Sequence, residues 1–160
     1  MLLIVIGSKQ HRILWVIGMV FSRVLVGIDG SEVSERALNV AIEICKKFNA
    51  TLYIMYVIEP ILVPSVDKAK IRTILDALKE HADRIVSKAL IKAQKENVEA
   101  KPIITEGKPG PEICKKASEL KADLVVVGSR GLGTISRFIV GSTSSYLFNH
   151  CTNKSILVVR

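Results

Sequence analysis

Apolar residues along this chain gather in short unbroken runs, separated by longer stretches where they recur every three or four positions. The runs RVLVGI (Arg23–Ile28), TLYIMYVI (Thr51–Ile58), residues 98–105, residues 124–127 ahead of Gly128, and SILVV (Ser155–Val159) read as strands. Between them, Ala37, Ala41, Ile44 and Phe48 mark a helix over residues 34–48 that Ser34 caps. Ile71, Leu75, Leu78, Ala82, Ile85, Ala89 and Ala93 trace a long helix over residues 66–96, and Ile113, Ala117 and Leu120 a shorter one over 111–120. A last helix runs from Ser142 to about His150. The near-continuous runs suit strands covered on both faces, whereas Pro102 puts the weaker 98–105 run at or near a sheet edge. Strands alternating with helices predict right-handed crossovers, and so an α/β fold: a doubly wound five-stranded parallel sheet with helices on both faces.

Composition narrows this picture. With 160 residues, 49% of them hydrophobic, the chain suits one main domain, residues 23–160. Aromatic residues make up 5%, which argues against a base-stacking surface. The net charge of +8 is spread along polar helix faces, so nucleic acid is not an expected partner, while an anionic metabolite is. Cys45, Cys114 and Cys151 form no CxxC pair and read as reduced buried thiols of a cytoplasmic protein; His11, His81 and His150 have no ligand spacing, so no metal site is expected. Residues 1–22 form a hydrophobic extension whose two apolar blocks fall short of the roughly 18 to 20 residues of a membrane span. Three readings of it stay open: an upstream region ahead of a start at Met19, an added strand or helix that packs on a partner, or a membrane contact.

The stretch with the most specific chemistry is LVVVGSRGLGTISRFIVGSTSS, where a buried strand ends at Gly128, Gly131 follows, and Gly141 leads into Ser142 and Thr143. Glycines let backbone N–H groups approach a ligand, and a helix start adds donors and a positive dipole end, so phosphate is the expected guest. In doubly wound sheets the ligand crevice lies where strand order reverses, which would set Asp29, after the first strand, across one cleft from this loop. Asp29 either caps its own turn or accepts from ribose hydroxyls, and Arg130 is either a solvated charge or a phosphate partner. Neither Walker A nor GxGxxG is present. A nucleophilic Ser129 or Ser142 with His150 as base is disfavoured, since Ser142 and His150 lie about two helical turns apart.

VLVGIDGSEVSERAL, YIMYVIEP and DLVVVGSRGLGTISRFIVGSTS together resemble the universal stress protein family, of the UspA type, over residues 22–160. The resemblance implies strand order 3-2-1-4-5, an adenine nucleotide alpha hydrolase-like fold, and a homodimer through the last strand, here Ile156, Leu157, Val158 and Val159. It implies ATP binding, with or without Mg or Mn, because G-x-x-G-x9-G-[ST] is intact as Gly128, Gly131, Gly141 and Ser142. Asp29 would hold the ribose, Val57 would meet adenine through its backbone, and Arg130 and Thr143 would join the phosphate loop. The expected function is a nucleotide-dependent stress-response module with no assigned catalytic residue. The alternatives are a slow ATPase and an interaction protein with a vestigial site.

Overall fold

The computed structural model describes residues 3–5, 21–60, 68–129, 141–152 and 154–160, with 3–5 and 68–70 described through their backbone alone. In chain order the elements are β1 (Leu3–Val5), β2 (Arg23–Ile28), α1 (Glu32–Phe48), β3 (Thr51–Ile58), α2 (Lys68–Lys95), β4 (Ala100–Glu106), α3 (Pro109–Glu119), β5 (Leu124–Gly128), α4 (Ser142–His150) and β6 (Ser155–Val159). Strands β6-β5-β2-β3-β4 are mutually parallel neighbours, so the expected five-stranded sheet and its order are present. A sixth strand comes from the extension, where an added strand that packs on a partner was one of three open readings; it pairs within the chain instead. β1 adds antiparallel to the outer side of β6, so the edge assigned to a dimer contact is covered within the same chain.

The unbroken apolar runs follow from two-sided burial. Val24 and Val26 of β2, with Leu124 and Val126 of β5, pack into a core with α1 and α2, while Leu25, Val125 and Val127 face a second core with α3 and α4. Each large side chain buried in this way stabilises the fold by about 1.5–3 kcal/mol. Exposed ion pairs such as Lys92 Nζ with Glu35 (3.1 Å), which joins α2 to α1, contribute at most about 1 kcal/mol. Burial therefore holds the helices to the sheet.

Three local expectations are corrected. Ser31, not Ser34, caps α1: its hydroxyl accepts from Ser34 N–H, and buried Ser34 donates back to the Ser31 carbonyl at 2.9 Å. The apolar stripe of α2 is only partly buried, with Ala82, Ala89 and Ala93 inside but Ile71 37% exposed. The 28 residues of α2 reach about 42 Å, against about 26 Å for the eight of β3, so the helix outruns the sheet. The third parallel strand starts at Ala100 rather than 98, and it is an edge as Pro102 indicated. Its odd-numbered neighbours Glu99 and Gly107 bond to β3, so Pro102 turns its missing N–H outward.

Asp123 fixes the level of the two central strands. Its Oδ2 accepts from Ser22 N–H (2.8 Å) and Arg23 N–H (2.9 Å), joining the amino ends of β2 and β5. Asp123→Ala leaves two strand-end donors without this acceptor and should lower the unfolding free energy by roughly 1.5–3 kcal/mol in urea titration, whereas a change near zero would contradict the role. Burial pushes the thiols of Cys45 and Cys151 up to about 12, the latter helped by a hydrogen bond with Cys114. Native protein at pH 8 should accordingly react with a thiol reagent at partly exposed Cys114 first, and at Cys45 and Cys151 only on unfolding.

Candidate functional site

Strand order reverses between β2 and β5; the chain leaves β2 in a polar turn, and β5 ends at Gly128 ahead of Ser129. Val26 stands opposite Val126 in the β2–β5 ladder, and Asp29 and Ser129 each follow three residues further on, past the carboxyl ends of these neighbouring strands. Asp29 and the residue that leads into the glycine-rich stretch thus follow adjacent strands at the switch point. Asp29 is half-buried, and its Oδ1 accepts from Ser31 N–H at 2.9 Å, so the turn-capping role is real. The second carboxylate oxygen is not used by that bond. Burial, joined by the negative charges of Asp29 and Glu59, holds the Tyr56 phenol above its ordinary range.

The other element of the expected cleft is the start of α4. Gly141 is the N-cap, with φ −59° and ψ 154°, and it has no side chain with which to satisfy the first turn. Ser145 N–H returns to the Gly141 carbonyl at 2.9 Å, so the N–H groups of Ser142, Thr143 and Ser144 precede the first helical hydrogen bond and have no intrahelical acceptor. Ser142 is exposed, Thr143 half-buried, and Ser144 buried with its hydroxyl bonded to the Gly141 carbonyl at 3.0 Å. A helix end of this kind, with its positive dipole, is suited to an anion.

Buried Ser129 is the residue whose structural part the pattern did not disclose. Its carbonyl accepts from Gly141 N–H and its own N–H donates to the Val159 carbonyl, both at 2.7 Å. It therefore joins the end of β5, the start of α4 and the end of β6. The available signal was a polar residue directly after LVVVG. Of the other site residues, half-buried Gly128 closes β5, while Arg130 and Gly131 lie outside the described residues.

Val57 lies near the carboxyl end of β3. Thr51 N–H bonds to Ser22 of the neighbouring chain segment, and the two-residue period from there turns the Val57 carbonyl toward β2, beyond Ile28, where β2 stops. A backbone acceptor is thereby aimed past the strand end. The serine–histidine alternative finds no support: Ser142 opens α4, and His150 closes it, stacked on Tyr146 at 4.3 Å with Nδ1 3.0 Å from the Tyr146 carbonyl.

A parallel sheet whose strand order reverses between β2 and β5, with helices on both faces, defines a doubly wound α/β protein. The model of the universal stress protein family matches residues 21–160, and the chain belongs to that family. The universal stress protein YxiE of Bacillus subtilis is 32% identical over 148 residues, 88% of this chain and 99% of that protein. The structure of UspA from Lactobacillus plantarum superposes with a TM-score of 0.78 at 27% identity, covering 88% of this chain and 98% of the other. A universal stress protein solved in complex with cAMP gives a TM-score of 0.67, also at 27% identity, with 88% and 97% covered.

Substitution at position 29 separates its two roles. Asp29→Asn keeps an acceptor for Ser31 N–H and should unfold within about 0.5 kcal/mol of the parent, while Asp29→Ala should lose about 1 kcal/mol. Equal stabilities for the two variants would remove the turn from the account.

Proposed function

We propose that this chain is an ATP-binding universal stress protein, a regulatory stress-response module that acts in the cytoplasm as a homodimer and reads nucleotide as a signal. The observation that carries the reading is the start of α4, where the N–H groups of Ser142 and Thr143 have no intrahelical acceptor and where Gly141 is bonded to Ser129 at the end of β5, the strand that pairs with the β2 that Asp29 follows. An adenine nucleotide presents matching chemistry: a phosphate for the helix end, ribose hydroxyls for Asp29, and an amino group for the Val57 carbonyl. Gly128, Arg130, Gly131 and Gly141 complete the phosphate loop in this reading, and Mg or Mn accompanies the phosphates. The family member solved with cAMP supports the class of ligand.

The same hydrogen bonds give nucleotide a route to assembly. A ligand that orders the first turn of α4 acts on Gly141 and, through Ser129, on Val159 of β6. The homodimer is placed on the outer edge of β6, at Ile156, Leu157, Val158 and Val159.

A proline at position 142 tests the phosphate contact with little disturbance of the fold. Ser142 is the first helical residue, where proline is favoured, and the extended Gly141 before it already has the backbone that proline requires. Ser142→Pro removes one N–H donor and should weaken ATP binding about tenfold or more by calorimetry, while Ser142→Ala, which keeps that N–H, should weaken it less. Asp29→Asn should also weaken binding. Unchanged affinity in Ser142→Pro would rule out the helix end as the phosphate site, and steady phosphate release by the parent protein would make the chain an ATPase rather than a pure binder.

A further inference from the structure

The outer edge of β6 is filled by β1, with Leu3 opposite Val158, Ile4 opposite Leu157 and Val5 opposite Ile156. β1 is the one strand in this sheet, among the described residues, that runs against its neighbour. A second copy of β6, brought up by a two-fold axis normal to the sheet, would run in that same reversed direction. The ladder is centred on Leu157. A two-fold axis through that position would set Ile156, Leu157 and Val158 of the second copy where Leu3, Ile4 and Val5 now stand. The two segments, LIV and ILV, are made of the same three residue types.

We propose that β1 is an internal stand-in for the β6 of a second copy: while paired it closes the edge through which this chain dimerises, and on leaving it opens that edge. This rests on the homodimer reading above. Strand edges are surfaces that a protein must cover or pair, and a short strand from the same chain is one way to cover them. β1 is three residues long, whereas a second β6 offers five, so the exchange replaces a short ladder at high local concentration with a longer one that depends on protein concentration.

The backbone identifies the substitutions that test this. The Val159 carbonyl faces β5, where it accepts from Ser129 N–H, so by alternation the polar groups of Val158 and Ile156 face β1. Leu3 with Val158 and Val5 with Ile156 are then the hydrogen-bonded pairs, and Ile4 points its N–H away from β6. Val5→Pro removes a donor to β6 without touching β6 itself. Val158→Pro removes a donor from the outer edge of β6 and spares its bonds to β5.

Sedimentation velocity of the full chain, Val5→Pro, Val158→Pro and the double variant, each checked for native circular dichroism, reads the result. Val5→Pro should dimerise at concentrations at least about tenfold below those the parent requires, and the double variant should stay monomeric. Leu3→Pro, at the other hydrogen-bonded pair, should repeat the first effect. Equal dimerisation of parent and Val5→Pro, abolished in both by Val158→Pro, would show that the edge assembles without β1 guarding it. A dimer indifferent to Val158→Pro would overturn the inference and leave the homodimer reading standing on another surface. Monomers throughout would overturn both.

Discussion

The parallel pairing of β2 with β5 is the contact on which the rest of the molecule depends. These two strands are next to each other in space but separated in the chain by α1, β3, α2, β4 and α3, and each side of the pair feeds a different core. Two-sided burial supplies the driving force, and Asp123 sets the level by holding the amides of Ser22 and Arg23. A slip of one residue would exchange the side chains of the two cores, a cost far larger than any single surface contact. With that level fixed, Asp29 and Ser129 each follow the carboxyl end of one of two neighbouring strands.

The sheet and its order were legible because both kinds of periodicity were strong, as in TLYIMYVI and the Ala82 to Ala93 stripe. The proposed cleft rests on a signal of the same kind, glycines and hydroxyl residues that follow an apolar strand. Details set by geometry rather than by pattern were not. Ser31 and Ser34 are both good capping residues, and only the path of the turn after Asp29 decides between them. Ile71 continues the α2 stripe in sequence yet has no sheet beneath it, because helix and strand differ in rise per residue. A strand of three residues such as β1 lies below what hydrophobic pattern can separate from any other apolar triplet.

Ser129 ties the two halves of the functional account together. Its carbonyl holds Gly141 at the start of α4, and its N–H holds Val159 at the end of β6, so the proposed ligand end of the molecule and the proposed assembly edge share a residue. A ligand can shift an equilibrium only by what it gains in one state over the other. Here that difference would lie in how firmly α4, Ser129 and β6 are held together when phosphate neutralises the helix end. Such an arrangement needs no chemistry on the nucleotide, which is why signalling rather than turnover is the reading adopted.

The central claim is that the switch-point cleft holds an adenine nucleotide. Mass spectrometry of the full-length protein purified without added nucleotide, under native and then denaturing conditions, tests it most directly. The account predicts a mass increment in the native spectrum that denaturation releases as an adenine nucleotide, or, from a preparation stripped during purification, the same increment restored by added ATP. A folded protein that carries no nucleotide and gains none at millimolar ATP would contradict it.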